Sequence, residues 1–164
     1  MAVIDDLERI GLQESLLTFE TFDSATAWEL GAALKARCER QKQAVTIEVR
    51  IAKETVFFYA MPGTTPENAD WARRKRNTVE MTGRSSYRAG LALKQQGESL
   101  ETLMGLPVRD YASHGGGFPI KTKGSGCIGV VTVSGLPQRD DHALIVETLA
   151  QMCDVPHSTV KLDS

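Results

Sequence analysis

The sequence predicts an α+β fold, an antiparallel sheet flanked by helices. Three observations point there. Segments with helical periodicity open the chain, a pair of strand-like runs follows, and a second pair arrives only after a further helical stretch. Strands that come in adjacent pairs favour antiparallel hairpins over a doubly wound parallel sheet.

Each element has its own signal. Val3 to Leu17 repeats Ile4, Leu7, Ile10 and Leu17 as a first helix, weakened by Gly11. Asp23 or Ser24 can cap a second helix carrying Ala27, Leu30, Gly31, Leu34 and Cys38 on one side. The period then changes to two. Val45, Ile47, Val49 and Ile51 alternate with Thr46, Glu48 and Arg50, and Val56-Phe-Phe-Tyr59 forms the partner run after a turn at Ala52 to Thr55. Pro66 to Thr82 reads as a helix with Pro66 at its first turn and Gly83 at its C-terminal cap. Ser85 or Ser86 starts another through Gln96, and Ser99 to Met104 makes a short turn of helix. Phe118–Lys123 and Cys127–Ser134 read as strands about Lys123-Gly-Ser-Gly126, and Asp140 or Asp141 caps a last apolar helix reaching Met152.

A chain of 164 residues fits a single domain, here 1–153, with the aperiodic 154–164 as a C-terminal tail or arm. At this size folding buries roughly 70% of the surface of the unfolded chain, enough for one core without staples. With 19 basic against 21 acidic residues, the balance argues against a nucleic-acid binder. Cys38, Cys127 and Cys153 show neither zinc-ribbon nor thioredoxin spacing, and read as reduced thiols. The first residues lack a signal-peptide pattern, and no apolar run approaches the ~18 residues of a membrane span. These features give the expectation of a soluble cytoplasmic protein with no membrane partner.

Chemistry concentrates in three places. His114-Gly-Gly-Gly-Phe-Pro-Ile120 places Gly115, Gly116 and Gly117 where the backbone can take positive φ and be approached closely. It serves equally as a tight turn into a strand or as a nest of anion-binding N–H groups. No Gly-Lys-Ser/Thr follows, so it is not a P-loop. His114 beside those glycines reads either as a structural hydrogen-bonder or as a functional imidazole. The second place is the strand-to-helix turn at Ser134-Gly135, where Asp140 and Asp141 serve as caps and offset the helix dipole. The third is Glu67 to Arg76. Asp70 stands four before Arg74, Trp71 reads as core, and the four consecutive cations Arg73 to Arg76 wrap the helix so that one must face inward or toward a partner. Arg73, Arg74 and Lys75 are the candidates to pair with a ligand carboxylate. The histidines lack zinc spacing, so no metal site is assigned, and no serine or cysteine has the partners of a nucleophile.

The combination of His114-Gly-Gly-Gly-Phe-Pro-Ile120, Ile128-Gly-Val-Val-Thr-Val-Ser-Gly135 and Asp140-Asp141 resembles the GlcG/HbpS-like haem-degrading domain family. Pro62-Gly-Thr64, Asn68 to Trp71, Arg74-Lys75 and Ser85-Ser86 make it similar to the branch called uncharacterised protein family 0303. The likeness runs from about Phe19 to Ala150, with Glu67 where the branch usually carries Asp. The resemblance implies a profilin-like sandwich, a tendency to homo-oligomerise, and a haem-binding or haem-degrading role. It transfers no iron ligand by motif. The expectation is therefore a small-molecule-binding domain, for haem or a related tetrapyrrole, at the glycine turn and basic helix. In it His114 is a candidate iron ligand or acid/base group, Gly115 to Gly117 allow close approach, and Arg73, Arg74 or Lys75 neutralise propionates. The competing expectation is a non-catalytic oligomeric interaction protein.

Overall fold

A computed structural model describes residues 2–164. Its elements run α1 (Ala2–Leu16), β1 (Thr18–Phe19), α2 (Ser24–Arg40), β2 (Thr46–Ile51), β3 (Glu54–Ala60), α3 (Pro66–Thr82), α4 (Ser86–Gln96), α5 (Leu100–Met104), β4 (Gly117–Thr122), β5 (Gly126–Ser134), α6 (Gln138–Met152) and α7 (His157–Val160). The sheet order is β1-β4-β5-β2-β3. The four longer strands pair antiparallel, and two-residue β1 adds parallel to β4 at the edge.

Alternation divides the sheet into two chemically different faces. Ile47 and Val49 of β2, Val131 and Val133 of β5, and Phe118 and Ile120 of β4 pack in one buried cluster with Leu30, Leu34 and Cys38 of α2 and Ile145 and Leu149 of α6. Gly31 is part of this fit, because a Cβ there would lie 2.4 Å from the Phe57 ring. The other face is polar. Under α3, Arg76 Nη1 reaches both oxygens of Glu48 at 3.1 and 3.2 Å, and Arg50 pairs with Glu80 at 3.3 Å.

The capping chemistry follows the sequence at most ends. Asp23 accepts the Thr26 N–H, Thr65 stands before Pro66, and Gly83 closes α3 with φ +69°. The hairpin turn is formed by Ala52 and Lys53, both with positive φ, which matches the twist of the two strands. One cap differs from expectation. α6 starts at Gln138 with Pro137 at the cap, and the amides of Asp140 and Asp141 already donate to the Pro137 carbonyl inside the first turn. Asp141 is thereby released from capping and turns its carboxylate inward.

The residues beyond Asp154 form an arm folded back on the body. Val160 is fully buried, its carbonyl accepts from Gln13 Nε2 at 2.7 Å, and Arg9 bonds the Thr159 carbonyl at 2.9 Å.

Candidate functional site

A polar cleft of about 390 Å³ opens where the N-terminal ends of α3 and α6 meet the loop before β4. Glu67, Trp71 and Lys75 supply one wall, His114 and Gly115 a second, and Gln138 and Asp141 a third. The helix explains the first wall: residues four apart lie on one face, so positions 67, 71 and 75 form a stripe. An apolar recess of about 290 Å³ lies elsewhere, between α4 and α5, with Arg84 as its only ionisable lining residue. Its remaining lining is mostly apolar, with the Met104 thioether as its one soft donor and no carboxylate or imidazole.

Lys75 forms the floor. It is 3% exposed, and its Nζ donates to the Gly115 carbonyl (3.1 Å), the Val133 carbonyl (2.7 Å) and Asp141 Oδ2 (3.1 Å). An ammonium has three donors, so none remains for a ligand. Asp141 Oδ1 accepts the Leu136 N–H at 3.0 Å. Burial pushes the Asp141 carboxyl up and the Lys75 ammonium down, and in each case the partner's charge opposes the shift. The pair ties α3, β5, the glycine turn and α6 together at one point.

The glycines are there for close approach. Gly116 has φ +128°, and a Cβ on it would stand 2.4 Å from the Val133 carbonyl oxygen and 2.5 Å from Lys75 Nζ. On Gly115 it would meet the Gln138 carbonyl oxygen at 2.4 Å. The turn's donors are partly committed as well: Gly115 N–H donates to Gln138 Oε1 (3.1 Å) and Gly117 N–H to Ser86 Oγ (2.9 Å). Of the two roles open to this segment, backbone packing is the one these bonds serve.

His114 is the group left over. Its ring is exposed, meets Trp71 edge-to-face with centroids 5.1 Å apart, and makes no hydrogen bond or ion pair within 4 Å among the described residues. Burial of part of the ring lowers its pKa, and the nearby charges of Lys75 and Arg74 lower it further. The imidazole is therefore neutral at pH 7, with a lone pair to offer.

The other basic residues go elsewhere. Arg73 bonds Asp70 (3.2 Å), Asp110 (2.9 Å) and the Arg109 carbonyl (3.0 Å). Arg74 lies over the Trp71 ring at 4.4 Å and donates to the Val108 carbonyl at 2.7 Å. Asp70 thus pairs with Arg73 and Arg109, not with Arg74 as the i,i+4 spacing suggested. Trp71 is half-buried and walls the cleft, where its type alone suggested core. The sequence signal for that wall was the four-residue spacing of 67, 71 and 75; the contribution of Gln138 had no local signal.

Comparison with known proteins places these features in a family. The family described as haem degrading protein HbpS-like matches residues 22–150. A UPF0303 protein of Azotobacter vinelandii is 54% identical over 97% of this chain and 96% of its own length. One from Serratia proteamaculans is 53% identical over 92% and 93%. Among solved structures, that of the Ybr137w protein superposes with a TM-score of 0.83 at 25% identity, covering 90% of this chain and 87% of that one. The PduOC:heme complex superposes with a TM-score of 0.67 at 19% identity, covering 81% and 94%, which speaks for the fold alone. With the matched region spanning the four longer strands, the cleft and the glycine turn, this chain belongs to the HbpS-like haem-degrading family, in its UPF0303 branch.

Proposed function

We propose that the chain binds a haem-type tetrapyrrole in the cleft beside Trp71, with His114 as the iron ligand. The observation that carries this reading is the His114 ring: neutral, exposed, without a hydrogen-bond or ion-pair partner among the described residues, and oriented by an aromatic neighbour. A ligating imidazole must present an unprotonated nitrogen; of the other titratable groups lining the cleft, Lys75 and Asp141 are paired with one another and Glu67 is a carboxylate, a hard oxygen donor. Trp71 offers a flat apolar surface to a conjugated ring, and Arg74 stacked on its face holds it in place. Lys75 and Asp141 act below the ligand by fixing the glycine turn from which His114 projects. Family membership and the haem in the PduOC relative support the choice of ligand. When bound, haem would supply the iron and its redox chemistry, and the protein the orientation.

Haemin titration tests it. Saturable growth of a Soret band is expected, with loss or displacement of that band in His114→Ala and an unchanged unfolding temperature. Featureless, non-saturating spectra in the unaltered protein would refute the proposal. A second reading, self-association, is favoured by Trp28 and Phe58, 66% and 51% exposed beside the open edge of β3. A sedimentation mass near the 17.9 kDa of one chain would remove it.

A further inference from the structure

We propose that the cleft is one half of a two-part site hinged on His114, and that Lys94 in the other half receives the anionic end of the ligand. This rests on the haem-type reading above and orients the ligand within it. A second hollow of about 200 Å³ lies between α4 and the loop before β4, walled by Tyr87, Leu91 and Lys94. His114 and Gln138 line both hollows, so a molecule seated on the imidazole has room on either side of it.

The two sides differ in charge. In the larger cleft Lys75 and Asp141 neutralise one another, and the remaining ionic side chain, Glu67, is an exposed carboxylate without an ion-pair partner among the described residues. An acidic substituent placed there meets repulsion. In the smaller hollow Lys94 is the only charged side chain, it is exposed, and it too has no ion-pair partner among the described residues. Its position in the last turn of α4 suits the helix dipole, which favours a cation there but does not turn it toward a hollow shared with His114. Of the two lysines lining the paired hollows, Lys75 has spent all its donors and Lys94 has spent none on another side chain. Arg73 and Arg74, the cations that the sequence put forward for propionates, line neither hollow. A planar ligand is thus seated with its apolar body toward Trp71 and its carboxylates toward Lys94.

The test compares haemin with its dimethyl ester, in which the carboxylates are masked, in the unaltered protein, Lys94→Gln and Lys94→Glu. A single exposed charge pair predicts roughly 2–5-fold weaker haemin binding in Lys94→Gln, and a larger loss, about tenfold, in Lys94→Glu. Ester binding should be the same in all three. Glu67→Gln should leave haemin binding equal or tighter. Equal loss for haemin and its ester, or no loss for either, overturns the role of Lys94 while a His114-dependent Soret band keeps the underlying reading intact. Absence of that band in the unaltered protein overturns both.

Discussion

His142 makes the fold acid-sensitive in a way that can be worked out from its surroundings. It is fully buried in α6, with its ring 5.2 Å from that of Tyr87 and 5.8 Å from that of Phe118. Its Nε2 lies 2.7 Å from Gln13 Oε1. Because the Gln13 amide nitrogen is committed to the Val160 carbonyl, Oε1 is the accepting atom and Nε2 carries the proton. Nδ1 is then a lone pair with no partner among the described residues, and a second proton would have nowhere to be solvated. Burial, reinforced by the charge of Arg139 and only partly opposed by Asp6, pushes the imidazole pKa down to about 3. The unfolded chain takes up this proton near pH 6.5, whereas the folded one does not until about pH 3. The unfolded state therefore binds more protons across that window, and stability falls as pH falls. The loss approaches about 1.4 kcal/mol per pH unit below pH 6.5, or roughly 2.3 kcal/mol between pH 6.5 and 4.5. Asp141 acts in the opposite sense: with its carboxyl raised by burial, the folded state takes up that proton first and gains stability as pH falls. The diagnostic quantity is consequently a difference. Urea unfolding from pH 4.5 to 7.5 should show that His142→Gln, which does not titrate, lacks the His142 slope while retaining that of Asp141. Parallel stability profiles for the two proteins would refute the argument, whatever their absolute offset.

Two further outcomes follow from the floor of the cleft. Lys75→Met should strand the Asp141 carboxylate and two backbone carbonyls, costing about 3–5 kcal/mol and about 10 °C in unfolding temperature; adding Asp141→Asn should recover part of that loss, and a double variant worse by the full sum of both single changes would argue against the pair. Gly116→Ala should leave little folded protein, as judged by circular dichroism and soluble yield, because its φ of +128° and a Cβ 2.4 Å from the Val133 carbonyl cannot both be relieved. Gly83→Asn, at φ +69° in open space, should stay folded, and equal damage from the two would discount the close approach.

What could be read in advance was whatever depends on neighbours in sequence. The alternation of Val45 to Ile51 specified a strand with one apolar face, the period of Ala27 to Cys38 a helix, and Asp23, Pro66 and Gly83 their ends, since these signals act within a few residues of backbone. The His114 glycine turn was legible for the same reason, and its motif also carried the family resemblance. Four adjacent cations likewise announced that at least one of them had to turn inward or toward a partner. Their division of labour was decided only in three dimensions. Lys75 is buried because Asp141 arrives from α6, 66 positions away, and Arg73 and Arg74 are turned aside by the 108–110 loop. The start of α6 at Gln138, the role of Trp71 as a wall, and the pairing of His142 with Gln13 across 129 positions have the same origin. A capping preference is local and acts before any tertiary contact forms. The desolvation of a charge, by contrast, depends on which distant group completes its hydrogen bonds, and that is settled only when the elements pack.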